Sequence, residues 1–373
     1  MRILVIERNP FGNLIDAAKL CEYLGRNHEV KYLSLDDPIF MIHSKSEVTY
    51  SFVELLTAPM HSRFIIRWLH WYLMCLREVA KSYDVVYVYR FRGCFALRFA
   101  RPGRPMILDI RSGSVGPSRF RRCLNDIMIR FDAKYFKNVT IISEGLRKKL
   151  GIAARKAHIL SLGADRYELP EKTFDAFHLL YVGTFNQGRR LETTIRAFAR
   201  LYHERDGEIE MTYTLVGGAQ RQELAFLQQV AVDAGVGHVV RFPGFVSHER
   251  VVDYLASCNI GMAYVPITEF FDHQPPTKTF EYLMAGMPVL ATGTTENRRV
   301  ITEANGIVTD DSEDAVFAGL QKLLITRHRF NSPEIRRSVE QYCWEDIVLK
   351  NCLPYLEGIV QGFRGHYCPD QRG

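Results

Sequence analysis

Lys278 and Glu281 stand three residues apart in the run Pro275-Pro276-Thr277-Lys278-Thr279-Phe280-Glu281-Tyr282-Leu283-Met284-Ala285-Gly286-Met287-Pro288-Val289. Proline is tolerated at a helix start, where its missing N–H would be unpaired anyway. Gly286 followed by Pro288 ends the helix. The spacing puts the ammonium and the carboxylate on one face near the helix N-terminus. Backbone N–H groups and the helix dipole there favour a phosphate. Lys278 adds a positive charge, and Glu281 can accept two hydroxyl groups of a ribose. Thr277, at the same helix start, joins this candidate set. The plain alternative is a surface ion pair on an ordinary helix.

A second stretch, Leu180-Tyr181-Val182-Gly183-Thr184-Phe185-Asn186-Gln187-Gly188-Arg189-Arg190-Leu191, carries two arginines from a strand end into a helix. Gly183 lets backbone approach a ligand, and the Arg189 guanidinium suits a bidentate contact to a diphosphate. A solvated turn is the alternative. A third signal is Val216-Gly217-Gly218 with Phe242-Pro243-Gly244-Phe245, glycine turns at strand ends whose backbone could pair with a base edge. In the first half, Asn9-Pro10-Phe11-Gly12-Asn13 follows an apolar run, and Asp109-Ile110-Arg111-Ser112 follows another. Asp109 and Arg111 read either as groups facing an acceptor or as a buried ion pair.

These residues must be held by strands and helices, and the pattern supplies two series of them. Ile3–Ile6, Val30–Leu35, Asp84–Tyr89, Pro105–Ile110 and Thr140–Ser143 read as strands, with helices over Leu14–Leu24 and near 118–136. The logic restarts at Leu179–Val182 and continues through Thr212–Val216, Val239–Phe242, Ile260–Val265, Val289–Ala291 and Gly306–Val308. Short apolar strands separated by helices imply parallel sheets covered on both faces. The fold expected is α/β, with two doubly wound Rossmann-like domains facing each other across a cleft. The first covers 1–168 and is joined by a C-terminal helix, 347–373; the second covers 169–346. Ligands belong at the carboxyl ends of the strands.

The chain has 373 residues, enough for two domains, and its 47% hydrophobic and 24% charged residues suit a globular protein. Eight cysteines include no CxxC pair, so buried thiols are expected rather than disulfides or zinc. The apolar start, Ile3 to Ile6, is too short for a signal peptide or membrane span, which predicts a cytoplasmic protein. The net charge of +6 is unevenly shared. Residues 1–168 hold 28 Lys and Arg against 16 Asp and Glu, and the remainder 20 against 26. The first half should face something anionic.

Together these stretches resemble the retaining GT-B glycosyltransferases of glycosyltransferase family 4. The resemblance covers nearly the whole chain and is strongest from about 178 to 310. It rests on Gly183 with Arg189, Val216-Gly217-Gly218, Phe242-Pro243-Gly244, the run from Pro276 to Val289, and Leu162-Gly163-Ala164-Asp165 between the domains. It implies transfer of a sugar, with retention and without metal or other cofactor, from a nucleotide-sugar donor to a glycan or lipid-linked acceptor. Cell-surface polysaccharide assembly is the implied setting. Arg189, Lys278 and Glu281 are the implied catalytic set. Gly12, Gly183, Thr184, Gly217, Phe245, His273 and Thr277 are the implied donor contacts. Thr184 stands where many relatives have an arginine, and His273, beside Asp272, where the family has the first glutamate of a pair. That departure keeps an inactive sugar-nucleotide-binding partner subunit as the second reading. No GxGxxG follows the first strand, against a nicotinamide enzyme, and no nucleic-acid module is present.

Residues 62–82 form a basic amphipathic pattern, in which Arg63, Arg67, His70, Arg77 and Lys81 share an arc beside Trp68 and Trp71. Arg119, Arg121 and Arg122 extend the basic surface. The expectation is peripheral contact with the anionic inner face of the plasma membrane through Arg63, Arg67, Trp68, Trp71 and Arg77.

Overall fold

In the computed structural model, residues 1–35, 51–58, 64–114, 118–205, 207–218 and 220–367 are described. The chain divides into two units, Met1–Ser161 with Trp344–Gly373, and Leu162–Cys343. The junction falls a few residues before the expected 168/169. The reason is local: the Ala164 N–H donates to the Tyr342 carbonyl at 3.0 Å, and Leu162, Tyr167 and Leu169 pack on the core of the second unit.

The first unit holds a seven-stranded sheet in the order β3-β2-β1-β4-β5-β6-β7. Its strands are β1 (Arg2–Ile6), β2 (Glu29–Leu35), β3 (Glu54–Ala58), β4 (Val85–Tyr89), β5 (Met106–Ile110), β6 (Asn138–Ile141) and β7 (Ala157–Ile159). All the pairings are parallel. β4 and β5 are buried along their whole length, as strands covered on both faces must be. The helices used below are α1 (Ile15–Gly25), α2 (Phe64–Ala80), α3 (Leu97–Ala100) and α4 (Arg119–Lys134). Short strands β3 and β7 escape the sequence pattern. β3 is a largely exposed edge strand, so it has no run of apolar residues to announce it.

The second unit holds six parallel strands in the order β10-β9-β8-β11-β12-β13. They are β8 (Phe177–Val182), β9 (Met211–Val216), β10 (Val240–Gly244), β11 (Ile260–Ala263), β12 (Val289–Thr292) and β13 (Gly306–Thr309). α5 (Thr277–Met284) leads into β12, and α6 (Thr295–Val300) follows it. In both sheets the strand order reverses beside the first strand of the unit, between β1 and β4 and between β8 and β11. Such switch points open a crevice at the carboxyl ends of the strands.

Six cysteines, Cys21, Cys75, Cys94, Cys258, Cys343 and Cys352, are buried and free, and Cys123 is exposed. Among the described residues no helix is long and apolar enough to cross a membrane.

Candidate active site

Beside the switch point of the second unit, the ends of β8, β9 and β10 are knitted together. The Gly183 N–H donates to the Val216 carbonyl, the Phe185 N–H to Gly218, and the Gly217 N–H to Gly244, each at 2.9 Å. Gly217 is confined from two sides. Its φ is +157°, and a Cβ there would lie 1.7 Å from the Gly183 carbonyl oxygen. Only a bare backbone lets β8 and β9 close so tightly. Beyond them Thr184 and Phe245 are exposed, on the rim of this end of the sheet.

α5 begins after Pro276, which sits in the extended region with φ −78° and ψ 120°. Lys278 and Glu281 on its first turns are buried, with 8% and 7% of their surface exposed. That rules out the surface ion pair. The Lys278 ammonium lies 3.6 Å from the ring centroid of Tyr181 in β8. It has no hydrogen-bond acceptor among the described residues. Burial holds its pKa well below the ordinary lysine value; Arg189 pushes the same way, and Glu281 opposes. The Tyr181 hydroxyl is pushed up to about 12 by burial, with Arg189 opposing. Arg189 therefore acts on the same place as Lys278. It ends the helical turn Gln187–Arg189, its guanidinium 4.7 Å from the ring centroid of Phe271. A buried ammonium with no acceptor among the described residues, beside a half-buried guanidinium, suits a polyanion.

The loop before α5 is fixed from the far side. The Asp272 carboxylate accepts from the Thr295 N–H and hydroxyl, both at 2.8 Å, which ties the loop to the start of α6. His273 Nδ1 lies 3.5 Å from Asp272 Oδ2. Below them Thr279 donates to Asn297 at 3.0 Å, and Asn297 to the Thr292 carbonyl at 2.8 Å. Behind the helix the Val182 N–H donates to the Tyr282 hydroxyl at 2.7 Å. Thr277 is half-buried at the first position of α5. Arg189, Lys278, Glu281, Gly183, Gly217, Thr277 and His273 thus belong to one end of one sheet. Sequence reasoning missed the ring partners Tyr181 and Phe271 and the anchoring role of Asp272. An aromatic within a strand reads as core, and nothing in spacing announces a loop-to-helix contact 23 residues apart.

The first unit has its own polar cluster at the same end of its sheet. The Asp109 carboxylate accepts from Tyr87 at 3.0 Å, from Thr140 at 2.6 Å and from Arg111 at 2.6 Å. Its side chain is fully buried. Asp109 is therefore not a group that touches an acceptor, as one sequence reading had it, but the buried anchor of Arg111. Arg111 also pairs with Asp16 of α1 at 3.0 Å. Glu7, one residue beyond β1, accepts from the Asn9 N–H at 2.9 Å and its side-chain amide at 2.5 Å. Burial pushes the Glu7 carboxyl up to about 7, against the Asn9 hydrogen bonds and with help from Asp16. Gly12 lies in the turn that follows, closed by Asn13 N–H to the Pro10 carbonyl at 3.2 Å.

The membrane candidates fare unevenly. Trp71 is fully buried, its ring 5.6 Å from Phe91. This corrects its assignment to the surface: at 80° from the centre of the basic arc, it falls on the side of α2 that meets the sheet. Trp68 is half-buried, stacked on Tyr72 at 5.7 Å with Arg8 above it. Arg67 is half-exposed and Arg77 exposed. Arg63 lies outside the described residues.

Two sheets of parallel strands, each with its switch point, make this the fold of the GT-B glycosyltransferases. Sucrose-phosphate synthase from Thermosynechococcus elongatus is similar over 96% of this chain and 99% of its own, with a TM-score of 0.77 and 16% identity. Anabaena HepE in complex with UDP and glucose is similar over 96% and 100%, with a TM-score of 0.73 and 14% identity. The lipopolysaccharide outer core galactosyltransferase WaaB follows over 95% and 100%, with a TM-score of 0.69 and 14% identity. Residues 176–325, inside the second unit, match the family model of glycosyl transferases group 1. A search of curated proteins found no match.

Proposed function

We propose that this chain is a retaining, metal-independent glycosyltransferase that binds a nucleotide-sugar donor at the carboxyl ends of β8, β9 and β11. The observation that carries the reading is the buried Lys278 ammonium, without a hydrogen-bond acceptor among the described residues and beside Arg189, one turn from the buried carboxylate of Glu281. The two cations and the start of α5 hold the diphosphate, and Glu281 holds the ribose. As the bond from the sugar to the diphosphate breaks, charge grows on the departing oxygen. Fixed positive groups stabilise that charge without reorganising, worth a few kcal/mol per well-placed donor. The acceptor is a glycan or a lipid-linked sugar, and the setting cell-surface polysaccharide assembly. The similar fold of HepE with UDP and glucose, and of an outer core galactosyltransferase, supports this direction.

A second reading, an inactive donor-binding partner subunit, draws on His273. The neighbouring acid cannot replace the missing glutamate, because Asp272 is committed to Thr295.

Thermal shift against UDP-, GDP-, ADP- and TDP-sugars in chelator tests the donor site. A ligand at a hundred times its dissociation constant adds ~2.7 kcal/mol. No shift with any of the four sinks both readings. A shift without turnover over an acceptor panel favours the partner subunit.

A further inference from the structure

α4 turns an apolar stripe outward, while Ile129 and Ala133 are buried on its inner side. Phe120, Leu124, Ile127 and Phe131 are 47–77% exposed. At 100° per residue they fall within a 60° stripe on the solvent side, roughly 16 Å long. Phe131 also touches Phe95 at 5.1 Å, and Phe95 touches Phe99 at 6.5 Å. Phe99 in α3 is 65% exposed, so the apolar surface continues off the helix. Such a contiguous exposed patch marks an interaction site.

The rim of the stripe says what covers it. Exposed Arg121 lies on one side, and exposed Arg130 and Lys134 on the other. The two acids of the helix are engaged inward: Asp126 accepts from the Ser114 N–H and hydroxyl at 3.2 and 2.5 Å, and Asp132 pairs with Arg90 at 3.1 Å. The rim is therefore cationic without an opposing carboxylate on α4. A second copy docked on a two-fold axis would bring these like charges together. An anionic lipid surface instead takes the apolar stripe among its acyl chains and the cations at its headgroups.

We propose that α4, with Phe99 of α3, is a docking face for an anionic membrane. The proposal does not depend on the transfer reaction.

The test is co-sedimentation of the full chain with phosphatidylcholine vesicles, with or without one third phosphatidylglycerol. Partitioning into the anionic vesicles is expected to be at least tenfold stronger and to fall at high salt. Leu124→Glu with Ile127→Glu should abolish it. Arg121→Gln with Arg130→Gln should weaken it by roughly fivefold per charge. Both pairs alter exposed positions, so an unchanged melting temperature and unchanged donor-induced shift show that the fold and the second unit are intact. Equal partitioning into the two vesicle types overturns the proposal. So does a dimer in sedimentation velocity that Leu124→Glu with Ile127→Glu dissolves, which would make the stripe a contact between copies.

Discussion

The ammonium of Lys278 rests 3.6 Å from the ring centroid of Tyr181 and has no hydrogen-bond acceptor among the described residues. A ring face only partly offsets the loss of water around a buried cation. The free protein therefore carries a cost there that a phosphate oxygen would relieve. Lys278→Met is expected to keep or raise the melting temperature while weakening donor binding tenfold to a hundredfold. Calorimetric titration beside a melting curve measures both. A variant that binds donor as the parent does removes Lys278 from the site.

Glu281→Ala is expected to lower donor affinity and rate by about a hundredfold or more, as the loss of a buried charged hydrogen bond does. Steady-state kinetics on folded variant checks this. An unchanged rate would mean the carboxylate serves only the packing of α5.

Two glycines near the site should answer differently to alanine. Gly217→Ala meets the Gly183 carbonyl at 1.7 Å, and its expected cost is about 3 kcal/mol or more. Gly244 has φ +81° with nothing within 4 Å of a Cβ, so Gly244→Ala should cost only about 1 kcal/mol of backbone strain. Urea unfolding of the two variants separates them. Equal losses would contradict the close approach of β8 and β9.

Glu7 gives a pH signature. Its folded carboxyl titrates at about 7, above the ordinary 4.5. The raised value means that the native state holds the proton more tightly than the unfolded chain. The contribution is full below about 4.5 and is lost as pH rises through 7. The difference corresponds to roughly 3 kcal/mol at most. Glu7→Gln should therefore be more stable than the parent at pH 8 and no more stable at pH 4.5. Denaturant titrations at the two pH values decide it; parallel curves would show that Glu7 is not held in its protonated form.

Asp109→Ala takes from Arg111 one of its two carboxylate partners, leaving Asp16, and leaves the Tyr87 and Thr140 hydroxyls without a shared acceptor. The expected loss is about 3–5 kcal/mol, read by denaturant unfolding. A loss below 1 kcal/mol would mean that the cluster relaxes around the gap.

The run from Pro275 to Val289 was legible because its helix start, face and stop are all encoded within a few residues. The alternation of strands was legible for the same reason, since each buried strand carries its own apolar run. What the sequence hid depends on contacts between distant segments. Asp272 looked like a neighbour of a sugar-contacting residue until its carboxylate met Thr295. Asp109 carried the right spacing to Arg111 for either of two roles, and only the hydroxyls of Tyr87 and Thr140 decided between them. Trp71 misled because an amphipathic pattern shows that two faces differ, not which one meets solvent. In α2 the exposed side includes Leu69 and Leu73, while Trp71 is buried.

The return of residues 344–373 to the first unit has a consequence for how the chain is made. The second unit is continuous from Leu162 to Cys343, so a ribosome delivers all of it before the first unit has its last segment. Domains tend to fold as their residues emerge. Here the part translated first lacks the segment that begins at Trp344 until the part translated after it is complete.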